Sequence, residues 1–321
     1  MDGKCLCATW ATLGGIYMRL MIIAASLLAT CAAAPAMAWS EVSHMTTGAI
    51  AFDDLTASNP ALLAKLEPII AAHPHYAKIA ARAGNLKGAA RMRVIFQWLA
   101  RWPDDARATE FDRPTWHYEL RVVYGRTWLW PFRNGEARKA FDLNFRTLLN
   151  AKARPRDRAI ALSWLMHIVG DIQQPLHAGH QMTADFPKTD EAGQLAFIRT
   201  EKGGKPVGLH EYWDSSLDVA GPVDATANRW SSLLPALYPR AKIRLRTYAR
   251  TPKQQFSLWL DESLQLSKRI GYTGTALKAT PNKADAPVAT AFEIGIVQEI
   301  SKRRVATGGY RIADTIKMAM K

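Results

Sequence analysis

The feature that most constrains the fold is an apolar segment, residues 156–173, that carries a histidine and an aspartate one helical turn apart. Its apolar residues recur at helical spacing, so it predicts a buried helix. His167 and Asp171 lie at positions i and i+4 and therefore share one face of that helix. Burying both is costly unless something compensates them. Either they form a hydrogen-bonded core pair, or they bind a cation together.

The chain repeats this chemistry further along. Pro175 ends the helix and turns the backbone, so His177 can point back at the same cavity. His210 and Asp214 form a second pair at the i, i+4 spacing. Two such pairs with a histidine between them indicate metal binding. Imidazole and carboxylate ligands without thiolate favour zinc, with manganese or iron as alternatives.

Two upstream segments offer further ligands. Asp104 and Asp105 follow Trp102-Pro103 at the end of a predicted helix, and His117 lies among aromatic residues. Taken alone, each of these is more often a helix cap or a satisfied histidine than a ligand.

The first 38 residues read as a secretory signal peptide. A short positive start at Met18 is followed by an apolar run and by the small-residue site Ala36-Met37-Ala38. The run is too short for a membrane span, although a buried N-terminal helix is the alternative. We therefore expect a periplasmic or secreted protein, cleaved before Trp39 and without stable membrane insertion. All three cysteines lie in the removed part, so the mature chain has no disulfide.

Cleavage at that point exposes the α-amine of Trp39. An α-amine has a pKa of about 8 and is a competent metal ligand. His44 follows five residues later and can reach the same ion.

The formal net charge of the chain is +14. Such a charge suits a polyanionic partner, either nucleic acid or an anionic membrane surface. A generic basic surface is the alternative that charge alone leaves open.

Most of the chain after residue 38 has helical periodicity, so we predict one all-α domain over residues 39–321. The exception is residues 177–208, a long loop near the site with a small hairpin and a strand at 194–200. Residues 275–287 predict a second polar loop. The predicted helices are 61–72, 89–101, 136–153, 156–173, 225–237, 254–270 and 291–320, the last interrupted near Gly308 and Gly309.

Taken in order, these motifs resemble the S1/P1 nuclease family, whose members are zinc-dependent single-strand nucleases and 3′-nucleotidases related to the zinc phospholipases C. The block from Leu165 to His177 is the most specific match. The resemblance extends, more weakly, to residues 259–263 and 308–313. It implies a mainly helical fold of the phospholipase C/P1 nuclease type. The segments that carry it are Trp39 to His44, Trp102-Pro103-Asp104, His117-Tyr118, His167-x3-Asp171-x5-His177 and His210-x3-Asp214.

The resemblance implies three zinc ions per chain. Asp104 is preferred over Asp105 because its spacing from Trp102 matches the family. His73, His75 and His180 match no ligand position and are interpreted as surface residues. One zinc would take Asp104, His117, His167 and Asp171; a second would take the Trp39 amine and carbonyl, His44 and Asp171; a third would take His177, His210 and Asp214.

The implied chemistry is hydrolysis of phosphate esters. Two zincs sharing Asp171 would activate a bridging water, and the products from single-stranded DNA or RNA would be 5′-nucleotides. Tyr118 matches a family aromatic that stacks a base, with plain packing of its ring as the alternative. Fungal members carry an aspartate that orients the attacking water where this chain has Leu120. Glu119 as a catalytic group and Arg121 at the substrate are the candidates to take over this role, although neither is in register with that aspartate.

Two rival functions remain. A zinc phospholipase C would share the centre, but that branch usually has glutamate where this chain has Asp214. A non-catalytic zinc-binding or nucleic-acid-binding protein would lack ligands, whereas all nine positions are filled here. The sequence indicates no protein partner; the expected partners are single-stranded nucleic acid and nucleotides.

Overall fold

The structure is a computed structural model, and it describes residues 39–125, 133–243, 245 and 251–321. The predicted signal peptide lies outside these residues. Helices dominate the described chain, so the prediction of a single mainly helical domain is confirmed. The helices are α1 (Glu41–Ser58), α2 (Pro60–Ala71), α3 (Tyr76–Ala81), α4 (Gly88–Asp105), α5 (Ala137–Leu149), α6 (Pro155–Asp171), α7 (Leu209–Asp214), α8 (Val223–Leu237), α9 (Pro252–Leu266) and α10 (Ala291–Ala319).

Helix α6 is the centre of the core. It begins with Pro155, whose missing N–H is harmless at a first helical position, and Asp157 in its first turn complements the helix dipole. Every residue from Ser163 to Asp171 is buried. Helices α1, α4, α5 and α10 pack around it. A helix surrounded in this way holds its polar side chains in fixed positions.

The strands are short and border the site. Strand β1 (Glu119–Gly125) pairs antiparallel with β2 (Arg133–Gly135) and parallel with β3 (Gly179–Met182). The sequence analysis did not predict this three-stranded sheet, because β2 and β3 are very short and β3 lies far from β1 in the chain. Strands β4 (Phe197–Ile198) and β5 (Val207–Gly208) form the small hairpin that was expected between residues 177 and 208.

Helix α10 corrects one prediction, because it runs from Ala291 to Ala319 without the expected interruption. Gly308 and Gly309 allow close packing instead of a break. A Cβ added to Gly309 would lie 2.6 Å from Ile50 Cβ, and one added to Gly308 would lie 3.2 Å from Thr47 Cγ2. The glycines therefore bring α10 against α1, the helix that carries His44.

Helix α1 was also not predicted as a helix. Ser40 caps it, since its hydroxyl accepts a hydrogen bond from the Ser43 amide.

Among the described residues, no helix is both long enough and apolar enough to cross a membrane.

Candidate metal centre

His167 and Asp171 lie on one face of α6, in the interior of the protein. Both side chains are fully buried, and His167 Nε2 lies 3.1 Å from Asp171 Oδ2. The i, i+4 spacing on one helix produces this approach. The pair is the middle of a larger group of histidines and aspartates.

Three other elements complete this group. His44, from the first turns of α1, places Nε2 3.2 Å from Asp171 Oδ1. His117, which ends the short 3₁₀ helix Pro114–His117, places Nδ1 3.0 Å from Asp171 Oδ2 and 2.9 Å from His167 Nε2. Asp104, at the end of α4, lies 3.8 to 3.9 Å from all three histidines. Asp105 points elsewhere and pairs with Arg101.

His177, His210 and Asp214 form a separate group, the third cluster, next to Asp171. His177 follows α6 in the 3₁₀ turn Pro175–His177, and α7 supplies His210 and Asp214. His210 Nε2 is 3.3 Å from Asp214 Oδ2, and His177 Nε2 is 3.9 Å from Asp214 Oδ1. His177 Nδ1 lies 3.8 Å from Asp171 Oδ1, so the clusters adjoin.

The structure thus brings together eight predicted ligand side chains in three sets. Within each set the potential ligand atoms lie within 4.8 Å of one another, which is close enough for one ion to reach all three. The sets are His44, His167 and Asp171; Asp104, His117 and His167; and His177, His210 and Asp214.

Backbone carbonyls orient three of the rings. His167 Nδ1 lies 2.8 Å from the Ala100 carbonyl, His177 Nδ1 lies 2.8 Å from the His117 carbonyl, and His210 Nδ1 lies 2.9 Å from the Ala192 carbonyl. A carbonyl only accepts, so each Nδ1 carries a proton, and in the neutral form of each ring Nε2 keeps the lone pair. This is the arrangement that metal-binding histidines use.

Several buried polar atoms in these clusters make no hydrogen bond. Such atoms are costly inside a protein, and their convergence on shared points fits cations better than an apolar core. The atoms are His44 Nε2, Asp171 Oδ1, His177 Nε2 and Asp214 Oδ2.

The pKa shifts follow from burial and from the neighbouring rings. Burial alone would raise the pKa of Asp171, but His167, His177 and the hydrogen bond with His117 outweigh it and hold that pKa well below its usual range. Burial lowers the pKa of His177 to about 3, so its ring is neutral at neutral pH. Burial raises the pKa of Asp214 well above its usual range. A divalent cation would reverse the shift at Asp214 by favouring its carboxylate form.

Gln174 is a site residue that the sequence analysis missed. Its Nε2 donates to Asp214 Oδ1 at 2.9 Å, and its Oε1 accepts from the amide of Leu176. It therefore orients Asp214 and also shapes the turn that leads to His177. Its position in the sequence between two predicted ligands, Asp171 and His177, could have indicated that it lies at the site.

Trp39 is buried at the start of the described chain. The next residue, Ser40, donates its amide to the carbonyl of Asp214 at 3.4 Å and its hydroxyl to Asp218 at 2.6 Å. The segment therefore lies against the end of α7, beside the third cluster. Metal binding by the Trp39 backbone stays a prediction.

The predicted substrate residues lie around β1. Tyr118 is half-buried beside His117. Arg121 is partly exposed and pairs with Asp261 at 2.9 Å. The Glu119 carboxylate is buried, pairs with the Arg138 guanidinium and accepts from the Arg138 amide. A role for Glu119 in activating water would require that pair to break.

Three histidines were interpreted as surface residues, and that interpretation was wrong for two of them. His73 and His180 are buried, and His75 is half-buried. His73 stacks edge-on against Trp102, whose indole N–H donates to His75 Nδ1 at 2.8 Å. His180 lies on β3, and the pairing of β3 with β1 places it in the protein interior.

The comparison with protein families supports the assignment that the motifs suggest. The model described as S1/P1 Nuclease matches residues 39–321, nearly the whole chain, which confirms the resemblance seen in the motifs. No characterised protein was found to match.

Proposed function

Because the chain belongs to the S1/P1 nuclease family, and so is a phosphodiesterase of a kind that acts on nucleic acid, we propose that it is an exported trizinc enzyme. In this proposal it cleaves single-stranded DNA and RNA to 5′-nucleotides and removes the 3′-phosphate from nucleotides. Zn²⁺ is the proposed metal because the donors are imidazole nitrogens and carboxylate oxygens without thiolate.

The observation that carries the proposal is the convergence of three His/Asp sets at one place. The sets adjoin through Asp171, whose two oxygens face different histidines. We propose that Asp171 is shared between two ions and that the Trp39 amine and carbonyl complete the ligands of the ion beside His44. The third ion takes His177, His210 and Asp214.

When bound, the zinc ions would supply a lowered pKa for the attacking water and positive charge for the phosphoryl oxygens. The chain's own residues supply the positions. The carbonyls of Ala100, His117 and Ala192 hold three imidazoles in one tautomer, so no ring must turn when a substrate arrives. Gln174 holds the Asp214 carboxylate in the same way.

We propose Tyr118 and Arg121 as substrate contacts. Tyr118 adjoins His117, so a base stacked on its ring would sit next to the metal centre. Arg121 would contact the phosphate backbone. The net charge of +14 favours a polyanion, and strong dependence of binding on salt is the expected signature.

The test compares two substrate classes. Purified exported protein is assayed for phosphate release from a 3′-nucleotide, for cleavage of single-stranded RNA and DNA, and for cleavage of phosphatidylcholine vesicles, each with and without a chelator. We expect cleavage of the nucleotide substrates only, with loss on chelation and recovery on adding zinc. Cleavage of phosphatidylcholine alone would support the phospholipase reading instead.

A matched pair of variants ties the activity to the centre. Asp104→Asn removes a proposed ligand, whereas Asp105→Asn changes the adjacent carboxylate, which is exposed and paired with Arg101. We expect loss of activity in the first variant and near-normal activity in the second. Equal activity in both would argue against the assignment.

A further inference from the structure

Two segments near the C-terminus meet behind the metal centre. Glu262 and Ser263, on α9, face Arg304 and Arg311, on α10. Both arginines are buried, at 7% and 1% exposure. Neither supplies a ligand atom to the clusters, so the proposed function leaves them without a role.

Arg304 binds the backbone at the end of α6. Its Nε donates to the Gln173 carbonyl at 2.8 Å, and its Nη2 donates to the Ile172 carbonyl at 3.4 Å. Ser263 reinforces the contact, because its hydroxyl donates to the Ile172 carbonyl and accepts from Arg304 Nη2 at 2.6 Å. Carbonyls at a helix C-terminus lack intrahelical partners, and a cation there also complements the helix dipole.

Arg311 holds the side chain of Gln173. Its Nη1 donates to Gln173 Oε1 at 2.8 Å, while Gln173 Nε2 donates to the Val169 carbonyl at 2.8 Å. Glu262 balances both guanidinium groups, at 3.3 Å from Arg304 Nη1 and 2.6 Å from Arg311 Nη2. The group therefore fixes both the backbone and the side chain of Gln173.

The segment that is held in this way joins the ligands of different clusters. Asp171 precedes Ile172 and Gln173, while Gln174, which binds Asp214, and His177 follow them. A change in the backbone at residues 172 and 173 would move Asp171 relative to His177 and Asp214. The clusters touch at 3.8 Å between His177 Nδ1 and Asp171 Oδ1, so small shifts would alter their spacing.

We infer that Arg304, supported by Ser263, Glu262 and Arg311, is a positioning residue that sets the position of Asp171 relative to His177 and Asp214, the proposed ligands of the third ion. The inference rests on the proposed zinc-dependent function. The residues of α9 and α10 that form this group include no proposed metal ligand.

A purely structural role makes a different prediction. A buried guanidinium that only stabilises the fold would lower the melting temperature of the zinc-free protein when it is changed. At temperatures where the zinc-free protein is still folded, it would leave the affinity for zinc intact. A positioning role lowers the affinity for zinc in a protein that still folds, because misplaced outer partners typically cost about 10- to 100-fold in metal affinity.

The test uses Arg304→Lys in the full mature chain, which keeps the charge but cannot bridge both carbonyls and Ser263. The matched control is Arg303→Lys, the adjacent arginine on α10, whose side chain is exposed. Zinc per chain is measured during titration with a chelator, together with the melting temperature of the zinc-free form, kcat and KM. We expect Arg304→Lys to release zinc at about 10-fold lower chelator concentration, with kcat lowered more than KM is raised, and Arg303→Lys to match the wild type.

Ser263→Ala is the second variant, and it decides the matter if Arg304→Lys does not fold. It removes one link to the Ile172 carbonyl, so we expect a smaller, few-fold loss of zinc affinity. Wild-type affinity in every variant that folds would overturn the positioning role while the proposed function stood. A wild-type protein that binds no zinc would instead overturn the proposed function, and the inference with it.

Discussion

Asp171 differs from the other carboxylates of the centre because histidines approach it from several sides. His44 lies near one oxygen, and His117 and His167 lie near the other. Asp214 has fewer neighbours, with His210, His177 and the amide of Gln174. Both residues are aspartates, but more histidines surround the Asp171 carboxylate, so its loss should affect more of the proposed metal ligands.

We therefore predict that Asp171→Asn is more damaging than Asp214→Asn. The first removes a charge that two ions would share, so we expect at least about 100-fold loss of turnover and loss of more than one zinc. The second should remove one zinc and leave a residual activity. Elemental analysis and turnover measured on both variants check this; near-native zinc content in Asp171→Asn would show that the carboxylate is not shared.

A second prediction concerns the amine of Trp39. An amide nitrogen is not basic, so a chain that keeps a residue before Trp39 should lack that ligand. We expect cytoplasmic protein with one extra N-terminal residue to hold less zinc and to lose most activity compared with exported protein cut before Trp39. Equal zinc and activity in the two preparations would rule out the N-terminal ligand.

At the scale of elements, glycines determine how closely the helices carrying the site approach. A Cβ at Gly48 of α1 would lie 2.5 Å from the Phe96 carbonyl oxygen of α4, and a Cβ at Gly309 of α10 would lie 2.6 Å from Ile50 Cβ of α1. His44 and Asp104 belong to α1 and α4. Their separation therefore depends on contacts that only glycine permits.

We predict that Gly309→Ala destabilises the protein by about 1–2 kcal/mol. Overpacking costs about 1–3 kcal/mol, and the higher helix propensity of alanine offsets part of it. Gly295→Ala is the matched control on the same helix, because no atom lies within 4 Å of its added Cβ. It should stabilise by about 0.5–1 kcal/mol. Denaturant unfolding of both proteins, with zinc present, measures the difference; destabilisation of equal size in both would refute the packing argument.

At the scale of the whole molecule, the centre lies where α1, α4, α6, α7 and the turn after α6 converge. Its ligand atoms come from residues 44 to 214, so an ion bound there would link distant parts of the chain. Without ions, buried carboxylates and imidazoles would remain without adequate partners. Metal binding and folding should accordingly be coupled.

We predict that removing zinc lowers the melting temperature by at least about 10 °C. Ligands that bind only the folded state stabilise it by mass action, about 4 kcal/mol for each site held at a thousand times its Kd. Each kcal/mol corresponds to about 2–4 °C in a domain of this order of size. Melting curves recorded with and without chelator test this, and zinc added back is the control. Identical curves would mean that the clusters are stable without metal.

The sequence alone determined which histidines and aspartates of the candidate site share a helix face. The i, i+4 spacing places His167 with Asp171 and His210 with Asp214 on shared helix faces, and helix geometry holds wherever the helix lies. Helical periodicity was likewise sufficient for the mainly helical class, because period and length are local properties.

Tertiary structure decided the rest, because the deciding contacts join residues far apart in the chain. The three-stranded sheet pairs β1 with β3 across more than fifty residues, and no local pattern carries that pairing. Gly308 and Gly309 predict a break in the helix from local propensity, but their close packing against α1 stabilises the continuous helix. Arg304 holds the end of α6 although 131 residues separate it from Gln173. Whether a buried polar residue is a ligand, a partner or a support depends on which distant groups reach it, and only the folded chain determines that.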